Sequence, residues 1–154
     1  MIEDDGDIVR ALGFVTLHAS YLEEQIEALV DLLEPVKKYS KGWQISDKIT
    51  HARKALRKLS NNDFDDLLEN LNTCLALFSD RNKLTHGRIY GGINRPDYLK
   101  SNHSEELEKP VDSSELYQLA NELSEFSSAV CRPMIFKLPR AIKIHLHNRK
   151  SDNA

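Results

Sequence analysis

Cysteine is scarce in this sequence, with two among 154 residues, so at most one disulfide can form. Cys74 and Cys131 both fall inside helical patterns, which predicts reduced, buried thiols in a cytoplasmic protein. Long hydrophobic runs are missing too, and nothing approaches the length needed to cross a bilayer. Basic residues are missing from the start: Met1 to Asp5 is acidic, the opposite of a secretory n-region, and no leader is expected. There is no internal repeat, no low-complexity segment, no Gly-rich phosphate loop, no nucleophile elbow and no pair of catalytic carboxylates. A positive excess is also lacking. The net charge of -3 argues against a protein that coats nucleic acid by bulk electrostatics.

What remains is the profile of a globular chain, 40% hydrophobic and 29% charged, long enough for one domain with a real core. Charge is unevenly spread. Glu3, Asp4, Asp5 and Asp7 make the start acidic, whereas Lys137, Arg140, Lys143, Arg149 and Lys150 follow one another with no acid between them. This divides the chain into a helical domain, 1–136, and a basic C-terminal tail, 137–154, read first as a solvated terminus and second as a segment that steers a polyanion.

Apolar residues at Ile8, Leu12, Val15, Ala19, Leu22, Ile26, Leu29 and Leu33 alternate spacings of four and three, predicting one long helix over 7–34 that Pro35 ends. A linker through Gly42 and Trp43 precedes a shorter basic helix, capped by Ser46 or Asp47 and running to about Leu59. Ser60 to Asp63 is a break and a cap. A third helix follows, and Gly87 stands where a left-handed cap is expected. Residues 88–112 have no helical period and read as a long loop or a short hairpin around Gly91 and Gly92. Ser113 or Ser114 caps a fourth helix, which ends near Pro133. Ile142, Ile144 and Leu146 alternate with Lys143, His145 and His147, which suits a strand or a further helical turn. The fold expected is an all-α, four-helix bundle with the long loop or short hairpin between helices 3 and 4.

Placed on a wheel, Phe64, Leu68, Leu71, Leu75 and Phe78 of the third helix share one direction, and the next residues along it are Asn82 and His86. The core-facing stripe therefore turns polar in its last two turns. Polar groups aimed inward demand a cleft or an interface. His86 also meets the negative end of the helix dipole, which favours the protonated ring and raises its pKa towards the range of a general acid or base. Arg81 offers a planar, permanent cation to a phosphate.

Arg81-Asn82-Lys83-Leu84-Thr85-His86, followed by Gly87, resembles the signature of HEPN domains: an Arg, a polar residue, three variable residues and a His. The similarity of layout spans roughly residues 8 to 130, and the motif is its diagnostic part. The resemblance implies a metal-independent endoribonuclease that needs no cofactor and acts as a symmetric homodimer with the two motifs facing each other. It implies catalytic roles for Arg81 and His86 and a supporting role for Asn82; Lys83 and Arg88 are read beside it as RNA contacts, with a solvated Arg88 as the alternative. Some members belong to toxin–antitoxin or phage-defence systems, which makes an antitoxin or other regulatory protein a partner class. Others have lost catalysis and serve as binding modules. In toxins paired with small nucleotidyltransferase antitoxins a Tyr stands two residues after the His; here that residue is Arg88, and Tyr90 is the nearest tyrosine. The chemistry agrees with the resemblance. Attack by the RNA 2′-hydroxyl needs a base, an acid for the leaving oxygen and positive charge on the phosphate. Two copies of His86 across a two-fold axis supply both proton transfers.

Arg140 and His145 repeat the motif's spacing, but without the amide, the helix end or the glycine. The rival readings are a non-catalytic HEPN-like module, and a helical interaction protein such as an antitoxin or immunity partner. Among other candidates, His18 is read as half-buried, and His51 and His103 as exposed. His145 and His147 lack an acidic or Cys partner nearby, so no metal site is expected. Trp43 is read as folded onto the bundle, with a base-stacking platform as the alternative. Lys48, Arg53, Lys54, Arg57 and Lys58 make the second helix basic; a solvated face is the first reading and RNA contact the second.

Overall fold

The computed structural model describes residues 1–40, 42–59, 62–85, 87–101 and 110–152. His86, His103, Ser60 and Asn61 lie outside them. The described residues are mostly helical, in the order α1 (Ile8–Leu33), α2 (Ile45–Arg57), a 3-10 turn (Asn62–Phe64), α3 (Asp65–Thr85), β1 (Gly87–Gly92), β2 (Arg95–Ser101), α4 (Ser113–Phe136) and α5 (Leu138–Asp152). None of these helices is long and apolar enough to cross a membrane.

Two compact units share the chain: Met1–Leu22 with Ala76–Glu125, and Glu23–Leu75 with Phe126–Ala154. In the first, Ile8, Ala11, Val15 and Ala19 from α1 are buried, as are Leu77, Phe78 and Leu84 from α3 and Leu116, Ala120 and Leu123 from α4. In the second, the buried set includes Ile26, Leu29 and Leu33 of α1, Ile49, Ala52 and Leu56 of α2, Leu67 and Leu71 of α3, and Leu138 of α5. The four-and-three spacing of α1 is thus its buried lane; Leu12 alone of the eight expected positions is half-exposed.

Helix starts are set by side chains at specific places. Asp7 caps α1, its Oδ1 accepting from the N–H groups of Val9 and Arg10 at 2.9 and 3.0 Å. The residue ahead of α4 is Asp112, not Ser113 or Ser114. Its carboxylate accepts from the Glu115 N–H at 2.9 Å, while the Glu115 carboxylate accepts from the Asp112 N–H at 3.3 Å, a reciprocal capping box. At α2 the cap is Gln44, whose backbone is extended and whose carbonyl takes the first helical bonds from Asp47 and Lys48. Ser46 and Asp47, expected as caps, therefore sit inside the first turn, where Asp47 meets the positive end of the dipole.

Pro133 does not end α4. The helix continues to Phe136, with the Lys137 N–H donating to the Pro133 carbonyl at 3.0 Å. Proline removes one donor and crowds one carbonyl of the preceding turn, and the backbone bonds that follow it still carry the helix to Phe136. The alternation after Leu138 resolves as helix: Leu138 and Ile142 are buried, four apart, and Ile144 faces solvent. His145 and His147 stand two apart on α5, about 200° around the axis, so they do not share a face. No group of three or more His, Cys, Asp or Glu suited to a metal occurs among the described residues.

The stretch after α3 forms an antiparallel hairpin. Register pairs Arg88 with Lys100, Ile89 with Leu99 and Tyr90 with Tyr98, with an irregularity after Tyr90. Leu99 also bridges to Val111 through two backbone bonds of 2.6 and 2.8 Å. Cys74 and Cys131 are free thiols. Cys74 is fully buried, and burial pushes its thiol up to about 12, so it behaves as a small apolar side chain.

Candidate functional site

The buried residues of α3 define its inward lane as Leu67, Leu71, Cys74 and Phe78. Leu68 and Leu75 stand half-buried at its side. The lane continues from Phe78 to Arg81, three residues on, and Leu84 beyond is buried again. Among the described side chains of the last two turns, the polar residue nearest that lane is Arg81, which is half-buried, whereas Asn82 is exposed. This corrects the wheel's placement of Asn82. Apolar residues cover adjacent lanes of α3, and such a broad arc leaves its centre undefined until neighbours pack on it.

Arg81 is held against its own helix. Its guanidinium carbon lies 5.8 Å from the Phe78 ring centroid, a cation–π distance, and its Nε is shielded from solvent. Lys83 differs. It is about half exposed and its ammonium pairs with Asp80 one turn back at 3.2 Å. His86 follows directly on the last helical residue, Thr85, and is outside the described residues.

Gly87 is the first residue of β1 rather than a helix cap. A side chain there would meet Leu99, since a Cβ would stand 2.6 to 2.9 Å from three of its side-chain carbons. The glycine lets the strand that leaves the motif close onto a buried leucine.

Of the loop and hairpin alternatives for this stretch the structure has the hairpin, and it adds Tyr90, Tyr98 and Lys100 to the Arg88 expected from the sequence. Alternate residues of a strand share a face, and so do directly paired residues across strands. Arg88, Tyr90, Tyr98 and Lys100 therefore occupy one face, two cations beside two aromatic rings. The tyrosine rings stack with centroids 5.8 Å apart and planes 20° from parallel. Gly91 and Gly92 pointed to a hairpin in the sequence, but register decides which residues face each other.

No family model, no curated protein and no solved structure matches this chain. Its functional reading therefore rests on its own residues.

On the N-terminal half of α1, Phe14, His18 and Tyr21 form a ladder, with ring centroids 6.3 and 5.9 Å apart, and Tyr117 of α4 lies 6.1 Å from Phe14. His18 is half-buried, as expected, and burial lowers its pKa. His51, expected in solvent, is 3% exposed. Its Nε2–H donates to the Lys37 carbonyl at 2.9 Å, a bond that offsets the cost of burying the ring.

Proposed function

We propose that the chain is a HEPN-like, metal-independent endoribonuclease that works as a homodimer, with α1 to α4 as its four-helix bundle. The observation that carries this reading is Arg81: a half-buried arginine on the inward lane of α3, its guanidinium braced by Phe78, five residues before His86 in the sequence. A planar cation with a restrained head is suited to a dianionic pentavalent phosphate, and it loses little freedom on binding one. The cationic and aromatic face of the hairpin, Arg88 and Lys100 with Tyr90 and Tyr98, supports RNA as the substrate class.

In the proposed reaction one His86 takes the proton of the RNA 2′-hydroxyl. The 2′-oxygen attacks phosphorus, the bond to the 5′-oxygen breaks, and the partner's His86 protonates that leaving oxygen. A 2′,3′-cyclic phosphate and a 5′-hydroxyl result. Arg81 binds the phosphoryl oxygens, Asn82 orients a ring or a phosphate oxygen, and Lys83 and Arg88 hold flanking phosphates. A regulatory protein of the antitoxin type is the partner class that goes with this activity.

The test is incubation of pure protein with RNA in chelator, wild type against His86→Ala and Arg81→Ala. Cleavage lost in both variants is the expected result. RNA retained without cleavage by wild type replaces the enzyme with a binding module. No contact with RNA removes both readings and leaves a protein-interaction role.

A further inference from the structure

The second compact unit holds a cavity of about 400 Å³ lined by Lys37, Trp43, Asp47, Thr50, His51 and Lys54. Its floor is set by the buried His51. The Lys37 carbonyl, in the linker after α1, accepts from His51 at 2.9 Å. Trp43 and Tyr39 meet the imidazole at centroid distances of 5.2 and 5.9 Å and meet each other edge-on at 6.2 Å. Tyr39 is anchored in turn by its hydrogen bond to Asp31, which pushes the phenol up to about 12. The single tryptophan of the chain is thus propped by two rings, yet remains 37% exposed.

His51 belongs to one face of α2 that lines the cavity. Asp47, Thr50, His51 and Lys54 follow the spacing of three, four and seven residues that a helix stacks together. Arg57 continues that face and is exposed. A rigid indole with an open side, two lysines and one carboxylate make a specific combination of chemistry. A flat base stacks on the indole, the lysines take phosphates on either side, and the carboxylate accepts from an exocyclic amino group. The volume lies within the range of small-ligand sites.

We infer that this cavity is a single-stranded RNA subsite: Trp43 stacks a base, Lys37 and Lys54 hold the adjoining phosphates, and Asp47 favours a base with an amino group. The inference rests on RNA being the ligand of this protein, and not on the cleavage assigned to Arg81 and His86.

The sole tryptophan reports directly on its own site. Wild-type protein is titrated with a short 2′-O-methyl oligocytidylate, which cannot be cut through its 2′-oxygen, and with inorganic polyphosphate. Tryptophan emission and the anisotropy of labelled oligonucleotide are both read. The expected result is saturable quenching by oligocytidylate and little by polyphosphate. Trp43→Ala should weaken binding about ten-fold. The conservative surface change Lys54→Gln should weaken it a few-fold and lower the salt slope by about 0.7. Anisotropy that rises with no change in emission, and with unaltered affinity in Lys54→Gln, overturns the subsite while leaving the ribonuclease reading intact. Equal quenching by polyphosphate also overturns it, because no base is then involved. Quenching by oligocytidylate in a protein that cleaves no RNA keeps the subsite and removes the catalytic reading.

Discussion

The phenol of Tyr117, buried on α4, donates a 2.6 Å hydrogen bond to the carboxylate of Asp5, just ahead of α1. Asp5 also pairs with Arg10 and accepts from the Asp7 N–H at 3.1 Å. The N-terminal segment is thereby tied to α4 at one carboxylate. A second tie joins Ile2 to Asn121 through bonds of 2.8 and 3.2 Å.

That bond makes stability depend on pH at both extremes. The Tyr117 hydrogen bond, first, and the Asp7 N–H and Arg10 hold Asp5 below its ordinary value of 3.8. Its contribution is complete above that value and is lost as pH falls through the depressed one. Burial, and then Asp5, push Tyr117 from 10.0 up to about 12. Its contribution is complete below 10.0 and is lost as pH rises through about 12. Tyr117→Phe should lower the thermal midpoint at neutral pH and flatten both limbs of its pH profile, measured by circular dichroism. A variant with unchanged limbs would show that the bond contributes nothing.

Gly87→Ala should destabilise the protein by about 1–3 kcal/mol, because the new methyl displaces buried Leu99. Urea denaturation measures this. Pairing with Leu99→Ala, which opens space at the same point, should recover part of the loss relative to the sum of the single variants.

Asp112→Ala removes one half of a capping box and should lower stability by about 1 kcal/mol. Asp112→Asn keeps an acceptor and should lose less. Ser113→Ala and Ser114→Ala, the caps the sequence suggested, should stay within about 0.5 kcal/mol of wild type.

The two cations of the motif should differ in ribonuclease assays. Arg81→Ala should reduce kcat by about 10²-fold or more, and Arg81→Lys should not restore it, because an ammonium lacks the fork. Lys83→Ala should change kcat/KM only a few-fold, since Lys83 is exposed and already paired with Asp80. Equal effects at the two positions would contradict the assignment.

Much of the helical framework is legible in the chain itself. The lane from Ile8 to Leu33 and the boundary before Pro35 follow from local spacing and from the steric effect of proline, neither of which needs a partner. The motif from Arg81 to His86 is likewise visible as residues and spacing. Which side of α3 faces inward was not. Its apolar arc spans several lanes, and packing selected the one through Leu71, Cys74 and Phe78, bringing Arg81 inward and leaving Asn82 exposed. The same holds for His51, whose burial depends on a carbonyl fourteen residues away, and for Arg88 and Lys100, which only strand register sets side by side. Periodicity within one segment sufficed for the existence and length of α1 and α3. The direction each side chain faces was decided by tertiary structure, because burial is a property of the neighbour as much as of the residue.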